Sequence, residues 1–200
     1  MSYTPAPSKF VLPVFYPGVP VSNVLIIRLP MAVGYSLPSN GNCYLNDLYI
    51  CDTTTAVCND FLGDISIDAL VPVADGHYAQ LTPSAGTAHW SLVNDASPDL
   101  LTYVSSSIVG NNDSYVFSAL PTSNSVILGV QINNAALKDS SGARSISAMS
   151  RTGTTDVIST PQALSGSQLI YSAFQTTDPS TGAAWTTGGL ATAEFGSVVA

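Results

Sequence analysis

The sequence predicts an all-β protein, an antiparallel β-sandwich of jelly-roll type with an extended N-terminal arm. Three observations predict it. Short apolar or alternating stretches recur along the chain, clusters of Gly, Asn, Asp and Ser separate them, and helical periodicity is nearly absent.

Residues 1–22 carry Pro5, Pro7, Pro13, Pro17 and Pro20, with Phe10, Val11, Leu12, Val14, Phe15 and Tyr16 between them. Proline removes ladder donors and biases its neighbours toward extended backbone. A free tail would hold those apolar side chains in water, so the segment is expected to be an arm lying on a surface, that of a neighbouring subunit. The sandwich domain is expected to span residues 23–200.

Strands are expected wherever the apolar pattern is bounded by turn residues. Val24 to Leu29 is stopped by Pro30, and the run 43–51 follows Ser39-Asn40-Gly41-Asn42. Over 64–69, alternation puts Ile65 and Ile67 on one face and Asp64 and Asp68 on the other. Tyr115, Phe117 and Ala119 alternate with Val116 and Ser118. The longest strand is expected over 125–136, with Val126, Leu128, Val130 and Ile132 sharing a face. A turn at Lys138-Asp139-Ser140-Ser141-Gly142, with Gly142 at positive φ, should return it as a hairpin into residues 144–150. Further strands are expected over 89–93, 102–109, 156–159 and 168–176. Only 185–194 invites a helix, and Gly188 and Gly189 limit it to a turn or two.

Composition narrows the function. Apolar residues make up 46% of the chain, yet charged residues reach only 9%, against about 25% in ordinary domains. A surface this neutral suits broad protein contact, because charges are depleted at interface cores. The cations Lys9, Arg28, Lys138, Arg144 and Arg151 are scattered and the net charge is −8, which disfavours nucleic acid and anionic membrane surfaces alike. The longest apolar runs fall far short of the roughly 20 residues a membrane-spanning helix needs. The start, Met1-Ser2-Tyr3-Thr4-Pro5, does not read as a signal peptide. A soluble protein made in a cytoplasm is expected.

Cys43, Cys51 and Cys58 are an odd set. Cys43 and Cys51 on one extended run would lie roughly 26 Å apart and could not bridge. Buried free thiols are the expectation, and a Cys51–Cys58 bridge across a hairpin is the alternative the spacing leaves open. No Cys-x-x-Cys pair or nearby His suggests metal.

Catalytic chemistry is equally sparse. Glu194 is the single glutamate, and His77 and His89 are the two histidines, separated by turn residues. There is no Gly-x-Ser-x-Gly elbow, and His89 is expected at the surface or at a cap. Paired carboxylates could come from Asp60, Asp64 and Asp68, but Asp64 and Asp68 on one strand face would be about 13 Å apart, beyond the roughly 5–9.5 Å that glycosidases use. Asn94-Asp95, Asn111-Asn112-Asp113 and Asp139-Ser140-Ser141-Gly142 are oxygen-rich but fit no calcium loop and are expected as turns. No catalytic, cofactor-binding or metal residue is assigned, and an enzyme is not expected. Trp90, Trp185 and the nine tyrosines suit a sugar-binding face, a core or an interface.

Three stretches nonetheless stand out together. They are Asn46-Asp47-Leu48-Tyr49-Ile50-Cys51-Asp52 with Asn59-Asp60-Phe61-Leu62-Gly63-Asp64; Tyr103-Val104-Ser105-Ser106-Ser107 with Asp113-Ser114-Tyr115-Val116-Phe117; and Val130-Gln131, Lys138-Asp139 and Gly142-Ala143-Arg144 followed by Asp178-Pro179-Ser180-Thr181-Gly182-Ala183-Ala184-Trp185-Thr186 and Glu194-Phe195-Gly196. In order and spacing, over roughly residues 43–200, these resemble a family of small proteins found among the virion genes of tailed bacteriophages and related prophages. Some of those relatives carry a longer concanavalin-like segment where this chain has its short proline-rich start. The resemblance implies a β-sandwich and a structural role in the virion, as a head, neck or tail accessory or decoration protein. It supplies no catalytic residues. The partners it implies are other virion proteins, and a homo-oligomer is expected. The rival reading is a receptor- or glycan-binding module of a tail or fibre, gripping sugar with Trp90, Trp185 or exposed tyrosine beside Asp and Asn.

Overall fold

The computed structural model describes residues 65–95, 97–121 and 126–200. The proline-rich arm, the expected strands over 24–29 and 43–51, and all three cysteines lie outside the described residues. Within them the regular elements are almost all antiparallel strands. The largest sheet has six. Its path runs from β1 (Pro72–Ala79) to β4 (Asn112–Phe117), then β10 (Glu194–Val199), β6 (Ser145–Thr152) and β7 (Thr155–Ile158), with β8 (Gln162–Ala163) also paired to β6. A second sheet pairs β5 (Val130–Ala136) with β9 (Leu169–Gln175), and a short ribbon pairs β2 (Thr82–Pro83) with β3 (Val104–Ser105).

Side-chain alternation decides which face of each strand is buried. In register, Tyr115 lies opposite Phe195, and Phe195 lies opposite Ser150, so one face of the large sheet carries these three residues. The core cluster joins Ala148 of β6 and Phe195 of β10 to Ile132 of β5, and adds Trp185 and Ala193. Residues of both main sheets therefore share one apolar cluster. Phe117 meets Phe195 edge-on at 5.6 Å, and Trp185 tilts against Phe195 at 5.8 Å, geometries that suit aromatic quadrupoles. Trp185 is only 3% exposed. It lies just ahead of the one α-helical segment among the described residues, α1 (Thr187–Thr192), whose N-cap Thr186 accepts a hydrogen bond from the Gly189 N–H at 3.0 Å. The expected turn or two of helix near Gly188 and Gly189 is thus present.

Several expected strands are corrected. The described part of 64–69 is irregular, and the chain enters the sheet only at Pro72. The strand over 102–109 shrinks to Val104–Ser105, and that over 125–136 begins at Val130, leaving Val126 and Leu128 exposed before it. Residues 89–92 form a 3-10 turn instead of a strand.

The expected hairpin at Lys138–Gly142 is also overturned. β5 pairs with β9, and β6 pairs with β10, β7 and β8. The turn therefore carries the chain from one sheet to the other. Both of its flanks are held by a third segment, through Lys138 N–H to Ser165 O at 2.9 Å and Leu164 N–H to Arg144 O at 2.8 Å. Gly142 is not among the positive-φ glycines. Gly153 is, at +61°, and it closes the true hairpin, in which Thr152 of β6 faces Thr155 of β7.

Exchanging the two glycines for alanine separates these turns. Gly153→Ala should lower stability by about 1 kcal/mol because a side chain resists positive φ, whereas Gly142→Ala should be close to neutral. Urea denaturation of the two variants measures the difference, and equal losses would contradict the assigned hairpin.

Candidate functional site

The densest polar chemistry gathers around Asp113, a residue the turn preference of Asn111-Asn112-Asp113 would place at the surface. It sits instead in β4 and is fully buried, at 0% exposure. Its Oδ1 accepts the main-chain N–H groups of Gln80 at 2.6 Å and Leu81 at 2.8 Å. Its Oδ2 accepts from the Tyr115 hydroxyl at 3.0 Å and lies 2.7 Å from His89 Nδ1. With every other partner donating to the carboxylate, Nδ1 is the ring nitrogen that carries the proton toward it. A buried carboxylate is tolerable only when so paired.

His89 is correspondingly buried, against the expectation of a surface or cap position. Asp75, on β1, explains why residues 89–92 turn: its two carboxylate oxygens accept the N–H groups of Trp90 at 2.6 Å and His89 at 3.2 Å. Those donors are then lost to any strand ladder, and Val93 N–H closes the turn on Trp90 O at 3.3 Å.

A second network lies along β1. Its pairing with β4 is irregular between Pro72 and Ala74 and again between Asp75 and Ala79. Across the second break, side chains receive the donors. Glu194 Oε2 accepts His77 N–H at 2.7 Å and the Ser114 hydroxyl at 2.6 Å, while Ser114 Oγ accepts Tyr78 N–H at 3.0 Å. The Tyr78 hydroxyl donates to Asp156 at 2.7 Å, and Arg151 reaches Asp156 at 2.7 Å with its guanidinium 5.3 Å from the centre of the Tyr78 ring. Partial burial pushes the Asp156 carboxyl up, but the bonds from Tyr78 and Arg151 and the Arg151 charge outweigh it and hold the group below its ordinary value. Its contribution to stability is present above the ordinary carboxylate range and is lost as pH falls through the lowered value.

The pair His89–Asp113 has the geometry of two members of a nucleophilic triad. Among the described residues no hydroxyl is bonded to the other ring nitrogen, and Asp113 is saturated by donors that hold loops in place. No group of three His, Cys, Asp or Glu converges for a metal among the described residues. Of the pairs weighed from sequence, Asp64 and Asp60 lie outside the described residues, and Asp68 bonds locally to the Ser66 hydroxyl at 3.4 Å. The site as a whole acts as a staple that fixes β1, the 3-10 turn and β4 to one another.

Two variants test that role. Asp113→Ala strands four donors and should cost about 3 kcal/mol or more, read as a shift in the urea midpoint. Burial, followed by the Asp113 charge and hydrogen bond and then the Asp75 charge, drives the Tyr115 hydroxyl far above its ordinary value of 10.0. A raised value in the folded state means stability present below pH 10.0 and lost as pH rises beyond it. Tyr115→Phe should therefore lose about 1 kcal/mol at neutral pH and decline less steeply in alkali than the parent, measured by denaturation across that range. No protein-family model, curated protein or solved structure matches this chain.

Proposed function

We propose that this chain is a structural component of a tailed-phage virion, a head, neck or tail accessory protein acting through protein–protein contacts. Its architecture is a jelly-roll-like β-sandwich preceded by an extended arm over residues 1–22. The observation that carries this reading is a surface that is poor in charge and rich in exposed apolar side chains. Fifteen large apolar residues are exposed among those described, and they cluster: Leu100, Leu101, Tyr103, Ile108 and Val109 fall in one ten-residue stretch, with Leu101 82% exposed. Single exposed apolar residues need no explanation, whereas groups of them mark contact surfaces.

Two further observations support it. Among the described residues, the carboxylates of Asp113, Asp75 and Glu194 are engaged in holding strands and turns. Trp185 lies in the core and cannot offer a ring face to a sugar, which favours protein contact over glycan recognition. The three motif stretches that resemble phage virion proteins agree. The partners are other virion proteins and further copies of this chain, and the protein is made in the host cytoplasm before joining the particle.

Imaging intact particles should find the protein enclosed among other subunits. Deleting residues 1–22 should leave a folded domain, by circular dichroism, that is not incorporated. Normal incorporation of that truncation would remove the arm from the account, and absence of the full chain from purified particles would overturn the reading itself.

A further inference from the structure

β5 has a strand on one side only. Among the described residues it pairs with β9 and with no other element, so every second N–H and C=O of β5 faces away from that ladder. The pairing runs unbroken from Val130 to Ala136, and the strand holds no proline and no charge, the devices that blunt a sheet edge. A row of unpaired main-chain groups selects its occupant by chemistry, because another extended strand satisfies it. The side chains add a second requirement. Ile132 lies in the core cluster and Val130 packs against it. Asn134, next on the same face, keeps its Nδ2 buried without a hydrogen-bond partner among the described residues. The opposite face carries Gln131, Asn133 and Ala135, with Gln131 bonded to Asn133 at 2.8 Å.

One stretch of sequence outside the described residues meets both requirements. Leu45-Asn46-Asp47-Leu48-Tyr49-Ile50-Cys51 matches β5 in length, and Leu45 opens the compact unit that extends to Ala200. Laid antiparallel along β5 in one register, the stretch sets Ile50 beside Val130, Leu48 beside Ile132 and Asn46 beside Asn134. Side chains opposed in this way have Cβ atoms about 4.5–5.5 Å apart, which brings the Asn46 side-chain oxygen within reach of the orphaned Nδ2. The other face then sets Asp47 beside Asn133 and Tyr49 beside Gln131, polar against polar. A slip of one residue turns Asp47 toward the core. Val24 to Leu29, the other apolar run ahead of Ile65, offers no amide to Asn134. Connectivity agrees with the antiparallel direction. The stretch would end beside Val130, which shares a cluster with Phe117, and the described chain enters next to Phe117, where Val71 O accepts Ser118 N–H at 2.9 Å. Residues 52–64 span up to roughly 43 Å when extended, ample for the link.

We propose that the free edge of β5 is the docking site of this chain's own residues 45–51, which add to it as a third, antiparallel strand in that register. The second sheet then no longer consists of a single pair of strands, a unit that is marginal by itself. Asn46 and Asn134 bond to each other in the interior, and the donor that β5 strands there is satisfied. The chain itself is the source because a tethered segment reaches the edge at a far higher effective concentration than a separate molecule does. The proposal concerns how the chain completes its own sheet, and it holds whether or not the protein belongs to a virion.

Hydrogen exchange on the full chain, read amide by amide at several protein concentrations, tests this. All amides from Gln131 to Ala136 should exchange slowly at every concentration, whereas an open edge leaves every second one fast. Adjacent residues of a strand point their N–H groups to opposite sides, so either Leu48→Pro or Tyr49→Pro removes a donor facing β5. That variant should release the alternate amides of β5 while those of β10 stay slow. Cross-linking reads the register in a chain carrying Cys43→Ser, Cys51→Ser and Cys58→Ser. Tyr49→Cys with Gln131→Cys should form a disulfide within one chain, since opposed Cα atoms lie within the span a disulfide bridges. Tyr49→Cys with Ala135→Cys, roughly 13 Å out of register, should not. Fast alternate amides in the parent overturn the proposal, as do amides that both proline variants leave slow. A disulfide that joins two chains, or one that forms only out of register, overturns it too. Should a proline variant also lose the β10 amides, the cross-link decides alone.

Discussion

One carboxylate, that of Asp113, holds the described structure's least regular region to its most regular one. β4 lies inside the large sheet, and its ladder to β10 is unbroken from Asn112 to Val116. β1 lies at the edge, with two breaks in its pairing. The chain leaving β1 at Gln80 and Leu81, the 3-10 turn at His89 and the hydroxyl of Tyr115 all converge on the two oxygens of one buried side chain. Main-chain donors left unpaired in such a place would each cost on the order of 1–3 kcal/mol. The acid satisfies them where a regular strand could not continue. Glu194 and Ser114 do the same for the middle of β1. An edge strand held by side chains in place of a neighbour's backbone is irregular, and irregular edges are poor templates for unwanted pairing.

How much of this was legible depended on whether local pattern and tertiary demand agreed. Strands with clear alternation and no competing partner are found close to where the pattern puts them: Thr155–Ile158 and Leu169–Gln175 match the runs expected over 156–159 and 168–176. β1 was invisible, since Pro72, Asp75 and Gly76 are poor strand formers, and its donors at Tyr78 and His77 are answered by side chains 36 and 117 positions away. β10 was hidden too. Glu194-Phe195-Gly196 looks unlike a central strand, yet Gly196 is required because a side chain there would collide with the Asp113 carbonyl. The turn at Lys138–Gly142 was read correctly as a turn and wrongly as a hairpin, because turn residues report a change of direction and say nothing of which sheet receives the chain.

The same limit applied to the polar cluster. Asp113 follows two asparagines, and the three together signal a loop as strongly as any triplet in the chain. Nothing in the local sequence announces that its acceptors will be claimed by Gln80, Leu81 and His89. Buried hydrogen-bond hubs are long-range objects, and single-sequence periodicity records only near neighbours.

The strand order of the large sheet has a consequence for how the molecule comes into being. β10 stands between β4 and β6, so the segment that unites the sheet is the last of its six strands to be synthesised. Until Glu194–Val199 are made, β1 with β4 and β6 with β7 and β8 are separate fragments, each with an open edge on the side β10 will fill. Closure then requires contacts between residues some 80 positions apart, as Ser114 and Glu194 illustrate, and pairing over such separations is slow because loop entropy must be overcome first. The sheet is thus completed only once β10 has left the ribosome. A chain that stops short of β10 keeps two open strand edges, so only chains that reach Val199 carry the assembled sheet.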